Sequence, residues 1–436
     1  MDKTEEKLEQ WCSAQGIEFK NAEAEEAYKK RTRRLADAIQ LKVPDRVPIA
    51  PLVTFFGANY AGITPEEVMY DLDKAYAAYK KTALDFEWDT AFSHLIAFPG
   101  QWLEAFDYKQ LKWPGHGVPS NRTYQFIEGE YMKADEYDAF FEDPSDFLIR
   151  TYLPRVSGTL APLQMLPPIR MVIPYYLGLM FMFGVAGAMG TASALESLVK
   201  AIAEFGKHAA STAAFGEEMA GLGFPSIFGG MTQAPFDTIG DSLRGTQGIM
   251  LDMYRNPDKL QQALDLILRD AIQMGLISAS VSSSPTVFIP LHKGPMGFMS
   301  LEQFKTFYWP TLHKLMLALI DAGLVPMPFI EADYTDRLEI ISDIPRGKAI
   351  YWFERTDIFK AKEVLGDRVC IKGNVPSALL CTGTPDEVKA YCKKLIDVVG
   401  KGGGLIVDGD IGIADEAKPE NVRAMTDFVK EYGVYR

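Results

Sequence analysis

The chain has 436 residues, 47% of them hydrophobic and 24% charged, with a formal net charge of −13. That is ordinary globular composition, long enough for one large core or two modest ones. The acidic balance argues against nucleic acid or an anionic membrane surface as the main partner.

Residues 1–44 read as a helical N-terminal extension, with Lys29, Lys30, Arg31, Arg33 and Arg34 on a solvated face. Met1 to Gln10 is highly charged with no apolar signal segment behind it, and the four cysteines form no CxxC pair. A cytoplasmic location is therefore expected. From residue 45 to 436 short apolar runs alternate with amphipathic stretches. Arg46–Pro51 and Asp89–His94 are the first two predicted strands, with a predicted helix Pro65–Leu84 between them. Residues 95–223 form a long insertion between strands two and three, of the kind that makes a lid or pocket wall on a barrel's catalytic face.

Within the insertion, Met171–Leu195 carries no charged residue and is long enough to be weighed as a membrane span. Pro174 and the glycines at 178, 184, 187 and 190 break it. It is therefore predicted to lie buried as an apolar segment or pocket wall, with no membrane partner.

Phe224–Gly230, Pro285–His292, Leu324–Glu331, Ala349–Glu354, Arg368–Asn374 and Leu405–Asp410 complete the strand candidates, and helical patterns follow them. Short buried strands alternating with amphipathic helices are βα units around a parallel sheet. Thr64-Pro65, Asn256-Pro257 and Thr384-Pro385 supply an N-cap followed by proline, and Ser300 to Gln303 fits a capping box. Eight such units are the count of an α/β TIM (β/α)8 barrel. A doubly wound sheet is the alternative, but no GxGxxG follows any early strand.

Reactive residues of a barrel sit at the C-terminal ends of its strands. Those ends hold His94, His292 with Lys293, Glu331 with Asp333, Glu354, Asn374, and Asp408 with Asp410. Glu331 and Glu354 each close an apolar, aromatic run, where a carboxylate is either desolvated or held by a cation. They are the candidate catalytic pair. His94, His292 and Asn374 are candidate substrate contacts, as is Tyr175 in the uncharged segment. The absence of HExxH, P-loop and GxSxG patterns removes the zincin, NTPase and α/β-hydrolase readings.

Several ordered segments resemble the uroporphyrinogen decarboxylase superfamily. They are Asp45 to Ile49, Phe228 to Asp237 with Arg244-Gly245, Met253 to Pro257, Val369 to Pro376, and Ala417 to Val422. The decarboxylases themselves carry an arginine-rich loop after strand one and an aspartate after strand four. Here those positions read PLVTFFGANY (Pro51–Tyr60) and FIPLH (Phe288–His292). The resemblance therefore points to the corrinoid-dependent methyltransferase branch. Its thiol-methylating members hold zinc through a His-x-Cys after strand five and a Cys after strand eight. Glu331-Ala332-Asp333 and Asp408 to Gly412 stand there instead. Oxygen ligands suit an ether better than a thiolate, so the chain looks like the methyltransferase component of anaerobic O-demethylases. The resemblance implies transfer of methyl from a methoxylated, aromatic substrate to the cobalt of a separate corrinoid protein. Zinc on Glu331, Asp333, Glu354 and Asp410, or an acid among the two glutamates, would stabilise the departing oxygen. No DxHxxG cobalamin signature is present, so the corrinoid belongs to a partner polypeptide. A cofactor-free decarboxylase or lyase acting on a small acid is the alternative, and a homodimer is left open.

Overall fold

The computed structural model describes residues 2–436. Three short strands of the insertion, β1 (Leu111–Pro114), β2 (Gly117–Val118) and β3 (Gln125–Phe126), form a small sheet of their own. The main sheet is parallel throughout. It runs in sequence order through β4 (Gly230–Met231), β5 (Thr286–Leu291), β6 (Val325–Ile330), β7 (Ile350–Phe353), β8 (Cys370–Lys372) and β9 (Leu405–Ile406). Two further extended segments close the ring without forming ladders. Residues 46–53 bond to the β9 side, where Val407 N–H donates to Pro48 O and Ala50 N–H to Val407 O. Residues 89–92 bridge the remaining gap, with Asp89 N–H donating to Ile49 O and Ala91 N–H to Pro225 O. With the six-stranded ladder they make the eight staves of a TIM barrel.

Aromatic side chains fill the lumen. Phe329 lies 4.0 Å from Trp352 between ring centroids, and Phe288, Phe228 and Phe92 continue the cluster around the ring through tilted and edge-to-face contacts. Beside them, Lys372 pairs with Asp408, both fully buried, and its ammonium lies 3.3 Å from the Trp352 ring centroid.

Helices Lys3–Ser13 and Ala22–Ile39 close the N-terminal end of the barrel. Leu8, Trp11, Leu35 and Ile39 share one core with Val325, Ile350, Cys370 and Ile406, residues of four barrel strands. Arg34, expected on a solvated face, is buried there and pairs with Asp45 and Asp89, and Arg46 also pairs with Asp89 at 2.8 Å. The basic run is thus partly a ring clamp. Its two arginines hold together the two staves that lack ladders.

Three of the four predicted helix starts cap as expected: Thr64, Ser300 and Thr384 each accept the N3 N–H in a capping box. Asn256 does not. Its side-chain amide donates to Asp252 instead, at 3.0 Å. The helix expected over Pro65–Leu84 is two, Pro65–Tyr70 and Leu72–Phe86, because the Asp71 side chain caps the second by accepting Lys74 N–H.

The uncharged segment departs most from expectation. Tyr175–Ala188 is a helix, and Gly178 is its one buried residue. It meets the 31-residue helix Thr191–Gly221 at a bend of 80°. No single helix among the described residues is long and apolar enough to cross a membrane, though this bent pair passes that test together. The segment is neither buried nor a pocket wall. The glycines and Pro174 that break it do not tuck it into the barrel; they turn it outward.

Candidate active site

Glu331, Glu354, Asn374 and Asp410 all follow the C-terminal ends of neighbouring parallel strands, β6 to β9, so they lie on one rim of the barrel. Sharing a rim does not bring them to one point. The Asp333 carboxylate turns back to accept Thr335 N–H at 2.8 Å, and Asp410 accepts Ser377 N–H at 2.9 Å. One oxygen of Glu354 accepts Ala332 N–H at 2.5 Å, and the other accepts from Arg355 at 3.1 Å. Ala332 has φ of +59°, so Glu354 pins a left-handed turn that sets the direction of its neighbour Glu331. Asn374 uses both ends of its amide, donating to Glu354 O and accepting from the Tyr391 hydroxyl. It is a strut between β7 and β8 rather than a free substrate contact.

Two other expected contacts lie elsewhere. His94 begins a short 3-10 turn and is fully buried, with its ring among Tyr76, Tyr79, His208 and Phe215. Burial, with His208 beside it, holds it neutral and down to about 4. It is a core residue. Tyr175 sits at the start of the exposed apolar helix, away from the rim.

What the structure does assemble is a cluster centred on His292, the residue after β5. Its Nδ1 lies 2.6 Å from Asp241, and its Nε2 lies 3.4 Å from Glu331. The next residue, Lys293, reaches the other oxygen of Asp241 at 3.0 Å and donates to the Thr246 hydroxyl at 2.7 Å. Beneath them the fully buried Asp237 accepts the backbone N–H groups of His292 and Lys293 and the Tyr308 hydroxyl. Asp237 and Asp241 come from the segment Pro235–Leu243, one turn apart, so both carboxylates face the end of β5. Gly240 lets the lysine stem pass: a Cβ there would stand 2.5 Å from Lys293 Cδ.

The electrostatics follow from this packing. Burial opposes a charge on His292, but the hydrogen bonds to Asp241 and Glu331 prevail and raise the imidazolium to about 11. Burial likewise works against the Asp241 carboxylate, yet His292 and Lys293 hold it below the usual range. Asp237 goes the other way, because burial dominates and pushes its carboxyl up. Glu331 is the member of the cluster that combines an open, half-buried position with contact to the histidine.

Zinc does not fit the expected ligand set. Asp333, Glu354 and Asp410 already satisfy backbone N–H groups, and no three His, Cys, Asp or Glu side chains among the described residues are grouped to hold a metal. A cleft of about 630 Å3 is lined by Glu128, Arg244, Thr246 and Asp252 among others; it adjoins the cluster through Thr246 but includes neither His292 nor Glu331.

His292, Lys293 and Glu331 are marked by their place at strand ends, whereas Asp237, Asp241 and Tyr308 stand on helical segments and carry no such mark. The two aspartates were legible in principle, as a four-residue spacing just after the Ala234-Pro235 turn.

Comparison with known proteins bears on the fold and family. The chain is 29% identical over 184 residues to uroporphyrinogen decarboxylase of Chlorobaculum tepidum, an alignment covering 41% of this chain and 51% of that one. With the Chlorobium luteolum enzyme of the same name the figures are 37% over 184 residues, 41% and 51%. The chain spans about half the length of the curated relatives it matches. A methyltransferase from Methanosarcina mazei shares the fold at a TM-score of 0.60 and 17% identity, over 92% of this chain and 98% of its own. Residues 210–432 match the family described as uroporphyrinogen decarboxylase (URO-D), and the chain belongs to that family.

Proposed function

We propose that this barrel transfers a methyl group from a methoxylated aromatic substrate to the cobalt of a separate corrinoid protein. One observation carries the reading: a histidine at the barrel mouth is kept cationic between two carboxylates, one of them half-open to solvent. Breaking a methyl–oxygen bond leaves the bonding pair on oxygen, and that oxygen must be met by a proton or a donor. The imidazolium, held by Asp241 and standing beside the half-open Glu331, is placed to offer its Nε2 N–H to a departing phenolate. Asp241 fixes the ring and balances its charge, Lys293 holds Asp241, Asp237 holds the strand end, and Glu331 stands 3.4 Å from Nε2 at the open side. A reduced corrinoid supplies the nucleophile that takes the methyl group.

Zinc has no part in this scheme. The fold neighbour is a methyltransferase, which supports the methyl-transfer reading by analogy.

The test is phenol release from methoxyarenes in the presence of a Co(I) corrinoid protein. His292→Gln should lower it about 100- to 1000-fold, the effect of losing one donor to a developing oxyanion. Unchanged release by that variant, or no release from any methoxyarene by the wild type, would count against the assignment.

A further inference from the structure

The helix Tyr175–Ala188 presents an uncommon surface. Ile173 is 78% exposed, Tyr175 82%, Met180 66% and Phe183 65%, and no charged residue interrupts positions 171 to 195. Its apolar residues lie on every side of the helix rather than on one stripe. A helix apolar all round is one that must be covered all round. Its root is fixed, because Leu160, Leu163 and Ala194 form a small core with Phe106 and Leu198 at the base of the bend. Beyond the bend, Val199 and Ile202 with Leu195 expose a second apolar stripe, spaced four and three residues apart on one face of Thr191–Gly221.

We infer that a second copy of this chain covers this surface, each protomer laying its Tyr175–Ala188 helix into the 80° angle of its partner. Two-fold pairing requires a surface complementary to itself. The bend supplies a rod and an apolar corner on the same chain. Area supports it too. An aromatic side chain presents about 150–250 Å2, so the four aromatics Tyr175, Tyr176, Phe181 and Phe183, all more than half exposed, offer roughly 400 Å2. Adding Ile173, Leu177, Met180 and the second stripe passes the about 800 Å2 per partner of a standard interface. A typical monomer leaves no patch larger than about 300–600 Å2. The uncharged composition is that of a permanent, self-paired interface rather than a transient one, which carries more polar groups.

A bilayer fits less well. The helix has 14 residues, about 21 Å of rise, short of the roughly 30 Å hydrocarbon core. Glu196 and Lys200 follow at once in the next helix, and the net charge of −13 is repelled by anionic lipid.

Sedimentation velocity on the full chain at micromolar concentration, without detergent, tests this. The wild type should sediment as a species of twice the 48.6 kDa chain mass. Phe181→Glu on the first helix and Val199→Glu on the second should each weaken pairing at least a hundred-fold and give folded monomers by circular dichroism. Because both side chains point to solvent within the chain, neither change disturbs the core; if one variant precipitates, the other decides. A monomeric wild type, dimers that persist in both variants, or a wild type that binds phosphatidylcholine vesicles as a monomer would overturn the inference.

Discussion

His292 is a cation by arrangement, since burial alone would leave it neutral. Its folded-state value stands above the ordinary about 6.5, so the sign of its pH dependence is set. The stabilisation it gains from Asp241 and Glu331 is complete below that ordinary value and is lost as pH rises through about 11. Methyl transfer should accordingly stay level across the range where an ordinary imidazole deprotonates, and decline only in alkali. A rate that halves near the ordinary histidine value would show that the ring is not held as described. Glu331 and Glu354 looked equivalent as letters at strand ends. They are not equivalent in space, because Glu354 answers the N–H of Ala332 while Glu331 answers a side chain from the neighbouring strand. Strand-end position was legible in the sequence; the partner of each carboxylate was not, because it depends on how a left-handed turn at Ala332 aims the backbone.

Among the elements, β6 has a sequence that argues against its own place. Proline is rare inside a sheet because it cannot donate to the ladder, and β6 carries Pro326 and Pro328. Val325 N–H donates towards β5, at Pro285 O, so the alternating prolines fall on the β7 side. The β6–β7 pairing is correspondingly confined to Phe329 and Ile330, beyond both prolines. The apolar run still identified the strand, since burial on both faces outweighs the missing donors. Asp89–His94 was harder to read. It is a stave by position, but two hydrogen bonds rather than a ladder hold it, and at His94 the chain has already turned into a 3-10 helix. Beside β7, the buried pair of Lys372 on β8 and Asp408 after β9 is a second feature that alternation alone could not reveal. Lys372→Met should cost about 3–5 kcal/mol, because Asp408 would remain buried without its cation. Replacing both residues with apolar ones of similar volume should restore much of that loss. Urea denaturation of the two variants measures the difference, and equal stabilities would refute the account.

At the scale of the whole molecule the eight-unit count and the rim were both readable, because they rest on periodicity and chain order. The direction of the uncharged arm was not, since composition specifies that a surface must be covered and leaves open by what. The clamp of Arg34, Arg46, Asp45 and Asp89 carries one more consequence, and it concerns motion. Six staves are laced by continuous ladders, whereas residues 46–53 and 89–92 rely on scattered backbone bonds and on this ionic knot. The cylinder therefore has a hem, formed by its first two staves, and regions with few shared amide bonds open first. In native-state hydrogen–deuterium exchange the amides of Ala50 and Ala91 should lose protection well before those of β5 and β6. Arg34→Met should widen that gap and leave exchange in the ladder nearly unchanged. Uniform protection around the ring would mean that the hem is as tightly sewn as the rest; otherwise the barrel breathes at those two staves.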